Sequence, residues 1–463
     1  MKDKIWGGRF KGKINPAFDY FSSSLSEDYK LASCDIRSSK VHCRMLQRMG
    51  LLSRTESRRI LSALDAIYKS LDSYEKDFSS RRFEDIHSFI EKELIRRVGV
   101  GAKKINTARS RNDQVNQSTR MYCKESVERF VVLIGEVQLA IVNQAERHKH
   151  LVIAGLTHLK KAQPILFSHQ LLSYVESLER SKDQLRDALK RIDILTLGSG
   201  ALAGTSIRID REWVRKQLNF SGISTNSLDA VGSRDFLAEF LFILAHLGVQ
   251  LSRVAEDFLI GQMDEIGWYE IPEELCTGSS MMPQKKNPDF LELARGAASA
   301  LIGNSHSLLI LLKGLPSSYN RDLQWDKRPL FHSVELTTQL LTLFRIFFKG
   351  LKINKDRVQA SLADDSLCAT DLAEYLVQQG LPFRDAHERV GRFVGFCEDH
   401  DIPLKGASLQ AVKKYLGGPI RNLLGLLDPK SSVSRKKSTG STNPVEVNRQ
   451  LKKWRRKLSH ESL

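Results

Sequence analysis

Residues 167–195 read FSHQLLSYVESLERSKDQLRDALKRIDIL. Apolar residues fall at Leu171, Leu172, Val175, Leu178, Leu185, Leu189, Ile192 and Leu195, a three-and-four spacing sustained too far for a strand. The stretch predicts one long helix. The same pattern runs over roughly 113–150, 235–262 and 289–313, while strict alternation with hairpin turn signals is almost absent. Long helices apolar on several faces must pack on one another, which predicts an all-α protein with an elongated central helical bundle. Glycine punctuation at Gly99, Gly101 and Gly350 divides the chain into an N-terminal helical domain over 1–106, the bundle over 107–352 and a C-terminal helical domain over 353–463. Function is expected on the loops at the bundle ends.

The chain has 463 residues, 41% of them hydrophobic and 27% charged, which is a globular composition large enough for several cores. A net charge of +17 admits nucleic-acid contact, an anionic substrate or a generally basic composition. The basic residues are dispersed, and the densest run, Lys452–Lys457, carries no nucleic-acid-reading motif, so a nucleic-acid partner is not expected. Met1–Phe10 is charged and Gly-rich, with no apolar stretch resembling a secretory signal. The most apolar segment, 236–260, includes Glu239, His246, Gln250, Arg253, Glu256 and Asp257, and so reads as a core helix rather than a membrane span. Six scattered cysteines without a CxxC pair fit reduced thiols in the cytoplasm. Gly198–Gly204 misses the GxGxxG spacing, and neither a phosphate-binding loop nor an HExxH metal motif occurs. Catalysis is therefore expected from side chains alone.

Four stretches can carry chemistry. Residues 278–288, GSSMMPQKKNP, place two serines, two lysines and Asn287 ahead of an apolar-periodic segment. Asn287 reads as the helix N-cap and Pro288 as its first-turn residue, and amides at such a helix start, with lysines beside them, attract carboxylates. Without more, it is also an ordinary capped loop. His158 lies in AGLTHLKKAQP (154–164), where Pro164 reads as a helix start, and a lone histidine there is by itself usually a structural or surface residue. In NTARSRNDQV (106–115), Arg109 and Arg111 offer carboxylate-binding forks, Asn112 a two-way amide, and Ser110 with Asp113 a capping box. GLPSSYNRDLQWDK (314–327) reads by itself as a polar loop.

The 278–288 string and the Thr157–Pro164 segment resemble the signature loops of the aspartase/fumarase superfamily of lyases. Trp6–Phe10, Glu84–His87, Ser110–Val115 and Tyr319–Lys327 narrow that resemblance to the argininosuccinate lyases, and it extends from about Trp6 past Asn443. It implies a homotetramer with active sites shared between subunits, no metal or organic cofactor, and elimination of argininosuccinate to arginine and fumarate. Matching positions imply Ser279 as general base, His158 as general acid oriented by Glu292, and Lys285 with Asn287 stabilising the developing aci-carboxylate. They imply substrate contacts from Ser24, Asn112, Thr157, Tyr319, Gln324 and Lys327, with Arg111 helping to hold a carboxylate. Leu156, Lys160, Lys161, Gly232, Ser233 and Trp325 depart from the family pattern without removing a catalytic group. The alternatives are another fumarate-releasing lyase such as adenylosuccinate lyase, or a non-catalytic crystallin-like paralogue.

Overall fold

Helix starts in this chain are set by side chains that satisfy orphan backbone N–H groups. The computed structural model describes residues 12–74, 78, 83–418, 420 and 422–461, and Trp6–Phe10 lies outside the described residues. After α1 (Ala32–Arg48), α2 (Arg54–Lys69) opens on a capping box: Glu56 N donates to Ser53 Oγ at 3.2 Å, and Ser53 N to the Glu56 carboxylate at 2.8 Å. α3 (Ile86–Val98) starts on Asp85, which accepts from Ser88 N at 2.7 Å. Ahead of α4 (Arg111–Arg147), Ser110 N donates to Asp113 at 2.9 Å, while Ser110 Oγ accepts from Asn112 N at 3.3 Å. The expected box is present, closed one residue early on the serine side.

The opening stretch forms α5 (Phe167–Ile192). Leu171, Leu172, Val175, Leu178, Leu185 and Ile192 are fully buried, each worth roughly 1.5–3 kcal/mol relative to exposure. Leu195 is buried as well but lies beyond the helix, in a two-residue ladder with residues 222–223. The other expected helices are α6 (Asp235–Gln262) and α7 (Asp289–Leu312), followed by α8 (Lys327–Gly350). Among the described residues, only α6 is long and apolar enough to cross a membrane by length and composition.

The chain divides into two compact units. The first comprises Met1–Val131, Ser181–Leu247 and Ser299–Thr338, so α1–α3 belong to it together with parts of all five long helices. Its packing includes Phe130 stacked on Phe240 at 6.3 Å. The second comprises Val132–Arg180, Gly248–Ala298 and Gln339–Leu463. There Phe258 meets Phe347 and Phe348 edge-on at 5.0 and 5.6 Å. A separate cluster in this unit gathers Leu372, Phe393, Val412 and Leu416 from α9 (Ala369–Gln378), α10 (Phe383–Asp399) and the Leu409–Leu416 helix.

One element escaped the sequence reading. β1 (Val152–Thr157) and β2 (Lys160–Leu166) form an antiparallel hairpin. Pro164 therefore sits inside β2, opposite Ala154 and next to a register shift, instead of starting a helix, which begins only at Phe167. Bulges and edges are where a strand tolerates proline, because its missing N–H leaves no broken ladder bond. The 278–288 loop is likewise closed by a short ladder, β3 (Thr277–Gly278) against β4 (Lys286–Asn287).

Candidate active site

The Thr157–Lys160 pair leaves only His158 and Leu159 to turn the hairpin, with φ of +53° and +58°. A right-handed strand twist selects this turn, which ordinarily uses Asn-Gly because both central residues are left-handed. A side chain in that region costs roughly 1–2 kcal/mol. It persists here because the hairpin legs are anchored by buried Val152, Ile153, Ala154 and Leu166. His158 and Leu159 are thereby held exposed at a rigid tip. The absence of Gly or Asn from the turn is why periodicity and turn signals missed it. His158 also lines a cavity of about 330 Å³ with Tyr174, Asp257, Trp268 and Tyr269. In its wall Tyr174 donates to Asp257 at 2.8 Å, and Gln170 Nε2 to the Tyr174 oxygen at 2.8 Å.

On the 278–288 loop, Ser279 Oγ accepts from Met281 N at 3.2 Å and Met282 N at 3.0 Å. Two amide donors on one hydroxyl oxygen stabilise negative charge there, and among the described residues Ser280 has no such pair. The loop base is pinned by Asp289, which accepts from Thr277 N at 3.0 Å and Thr277 Oγ1 at 2.6 Å. Asn287 is a strand residue in β4, and Pro288 holds the position immediately before α7, its carbonyl accepting from Leu291 N at 3.0 Å. The expected Asn287 cap is therefore shifted by one residue, because the β3–β4 ladder claims Asn287. Lys285, Asn287 and Glu292 come together around a cavity of about 930 Å³, together with Glu256 and Arg295. Glu256 and Arg295 are themselves paired at 2.8 Å. No hydrogen bond or ion pair among the described residues joins His158 to Ser279, Lys285 or Glu292 within one chain.

The remaining predicted residues lie in the first unit and differ in character. Ser24 is buried, its hydroxyl donating to Asp28 at 2.6 Å. Arg111 Nε is 3.0 Å from Asp85, and its Nη atoms donate to Gln114 at 2.8 Å and Ser88 at 3.1 Å, so most of its fork is spent inside the protein. Asn112 Nδ2 donates to the Ala201 carbonyl at 3.0 Å, and Gln324 Nε2 to the Ser22 carbonyl at 3.0 Å. Tyr319 is half-buried, and burial raises its pKa. Lys327 is buried and pairs with Asp326, which also pairs with Arg234 at 2.5 Å. Thr157, by contrast, is exposed beside His158 in the second unit.

Behind the first-unit set lies a polar interior that sequence reasoning missed. Asp35 faces His87 Nδ1 at 3.0 Å and accepts from Gln114 Nε2 at 2.6 Å. Burial works against its charge, yet His87 and Arg109 bring the Asp35 pKa down to about 2. Burial and the neighbouring Asp85 push Asp28 up to about 6. Burial and Arg109 push His42 down to about 3. The glycine-rich 198–204 stretch serves this interior: Gly198 N and Gly200 N donate to Asp113 at 3.0 and 2.9 Å, although burial still raises Asp113 to about 6. The Glu84–His87 segment was the available signal. Among the described residues, no group of three or more His, Cys, Asp or Glu side chains could hold a metal ion.

Residues 8–303 match the family model described as Lyase, and residues 366–434 match the model described as Argininosuccinate lyase C-terminal. Argininosuccinate lyase of Citrifermentans bemidjiense is 40% identical, over 95% of this chain and 96% of its own length. The chloroplastic argininosuccinate lyase of Arabidopsis thaliana is 40% identical, over 98% of this chain and 88% of its own. Among solved structures, EDDS lyase in complex with formate superposes with a TM-score of 0.84 at 27% identity, covering 98% of this chain and 92% of that one. The class II fumarase of Schistosoma mansoni shares the fold, with a TM-score of 0.73 at 16% identity over 88% and 90% of the two chains.

Proposed function

The chain belongs to the argininosuccinate lyase family, a group of carbon-nitrogen lyases, and cleaves argininosuccinate reversibly to arginine and fumarate; we propose how its residues divide that work. The proton to be removed lies on a carbon next to a carboxylate and is only weakly acidic. Removing it builds a doubly charged aci-carboxylate, so cations and donors must stand where that charge grows. Ser279 is the base. The observation that carries this role is its hydroxyl oxygen, already the acceptor of the Met281 and Met282 amides, which would stabilise an alkoxide.

Lys285 and Asn287, which share a cavity with Glu292, stabilise the dianion. A preorganised donor of this kind is worth about 2.7–4 kcal/mol of barrier. His158 protonates the departing guanidino nitrogen, with Glu292 orienting it. Ser24, Asn112, Thr157, Tyr319, Gln324 and Lys327 contact the substrate, and Arg111 supports a carboxylate through its remaining N–H groups.

Within this proposal the enzyme is a cytoplasmic homotetramer with shared active sites. Two observations support the assembly: among the described residues His158 and Glu292 line different cavities with no hydrogen bond or ion pair between them, and large apolar side chains stand exposed on α6 and α7. Phe242 is 60% exposed, Leu293 71% and Ile310 72%. Such side chains on rigid helices ask for a protein partner, and a second copy supplies one symmetrically. The surplus apolarity of α6 then belongs to subunit packing rather than to lipid. All six cysteines are free, which suits a reducing compartment.

The test follows fumarate absorbance with the purified full chain and argininosuccinate. Ser279→Ala is expected to lower kcat by ~1,000-fold or more, and Ser280→Ala by less than ~10-fold. No fumarate from the wild type would sink the lyase reading. An active Ser279→Ala beside an inactive Ser280→Ala would reassign the base.

A further inference from the structure

One short stretch, Val231–Arg234, touches both ends of the segment that carries Tyr319, Gln324 and Lys327. At the near end, a Cβ placed on Gly232 would lie 2.5 Å from the Ser318 carbonyl oxygen and 2.8 Å from its carbon. Only glycine allows the two backbones to come this close, and Ser318 itself is held at φ +73°.

At the far end, Arg234 Nε donates to Asp326 Oδ2 at 2.5 Å, and Lys327 Nζ donates to Asp326 Oδ1. The Arg234 and Asp326 side chains are wholly buried, and that of Lys327 is 4% exposed. Arg234 is fixed in turn, Nη1 donating to the Ser233 carbonyl at 2.8 Å and the Val231 carbonyl at 3.4 Å. Ser233 is anchored from α4, where Asn116 Nδ2 donates to its carbonyl at 3.1 Å. Asp326 and Lys327 are neighbours in sequence, a separation at which side chains do not naturally face each other on a helix. A carboxylate free to rotate would let the lysine follow it or release it. With one oxygen held by Nε of a planar guanidinium whose Nη1 is itself fixed on backbone carbonyls, Asp326 presents the other in one place.

We propose that Arg234 is a positioning residue for substrate binding: it fixes Asp326 and, through it, the ammonium of Lys327, while Gly232 sets the height of the Ser318–Tyr319 backbone. The proposal rests on the assignment of Lys327 and Tyr319 as substrate contacts. Two cations share one carboxylate in this buried cluster, and among the described residues Arg234 Nη2 has no hydrogen-bond partner. The cluster thus keeps a positive excess, which a substrate carboxylate on Lys327 would offset.

A double-mutant cycle on the full-length enzyme tests this, with KM and kcat for argininosuccinate measured in wild type, Arg234→Lys, Lys327→Met and the pair. Arg234→Lys keeps the charge and loses the fork. It is expected to raise KM by ~10-fold or more while leaving kcat within ~3-fold. In the Lys327→Met background it should add almost nothing to KM, because the group it positions has gone. Gly232→Ala approaches the other end and should raise KM in either background, since it displaces Tyr319 independently of Lys327; it carries the proposal if Arg234→Lys fails to assemble. An unchanged KM in Arg234→Lys, or a double variant whose KM increase is the product of the single increases, overturns the proposal. A wild type that releases no fumarate overturns the lyase reading instead, so the two failures are distinguishable.

Discussion

His158 and Ser279 stand on exposed turns, whereas Ser24, Arg111 and Lys327 are tied to buried or nearly buried carboxylates. The hairpin tip is rigid because its legs are buried, and the serine loop is pinned at its base by the β3–β4 ladder and Asp289. Of the first-unit residues proposed to hold substrate, Ser24, Arg111 and Lys327 lean on acids, Asp28, Asp85 and Asp326, whereas Asn112 and Gln324 donate to backbone carbonyls. The groups proposed to move protons are thus presented outward on short-range geometry, and three of those proposed to hold substrate are wired into the core. Mutations should separate the two regions, one losing rate without stability and the other losing both.

Asp326→Asn should break the comparison most sharply. It would leave Arg234 and Lys327 buried beside a neutral amide. Removing one partner of a buried charge cluster costs about 3–5 kcal/mol. Urea unfolding of the full chain should show a loss of that size, with a raised KM. Ser279→Ala should leave the unfolding midpoint unchanged, its hydroxyl accepting only from two amides of its own loop. Equal stability in Asp326→Asn and wild type would show that the first unit does not depend on this carboxylate.

The same division explains what could be read from sequence. The bundle was legible because Leu171 to Ile192 repeat at helical spacing over many turns, and α4, α6 and α7 followed the same rule. The serine loop and His158 were legible as motifs, since their residue types and order are local. The hairpin was not, because His-Leu carries no turn signal and its strands alternate poorly. The interior behind Arg111 was not either: Asp28, Asp35, Asp85 and His87 converge from α1, α3 and the turns before them, and a buried ion pair leaves no periodic trace. Nothing in the local sequence marks a role for Gly232, and only the approach of Ser318 gives that glycine a purpose. Asn287 shows the limit at a boundary, where a good cap residue was claimed by a two-residue strand.

A second way to sharpen the contrast is pH. His42 is buried neutral, its Nε2 3.0 Å from the Thr107 carbonyl, with its pKa held at about 3 by burial and Arg109. A folded pKa below the unfolded value of 6.5 means that the unfolded chain binds the proton first. The stability His42 contributes is therefore present above pH 6.5 and lost as pH falls toward 3, at up to ~1.4 kcal/mol per pH unit. Asp28 and Asp113, both raised to about 6, act in the opposite sense as pH falls from 6 toward 3.8. Comparing wild type with His42→Gln isolates the histidine. The variant should lose less stability between pH 6.5 and 4.5, and parallel curves would show that His42 already shares the solvent's proton.

The smallest effect tests the exposed side of the comparison. Leu159 sits at φ +58° with its side chain 75% exposed, so it suffers left-handed strain without burying its apolar surface. Glycine removes the strain but adds freedom to the unfolded chain, and the two nearly offset, leaving a gain of up to ~1 kcal/mol. If the hairpin is rigid because its legs are anchored, Leu159→Gly should raise the melting temperature slightly and leave kcat within ~3-fold, since His158 keeps its turn partner Thr157–Lys160. If the strain itself holds His158 in place, the same substitution should lower kcat while stability rises. Measuring both on one sample decides which of the two fixes His158, and a fall in both would mean that the leucine packs against another subunit.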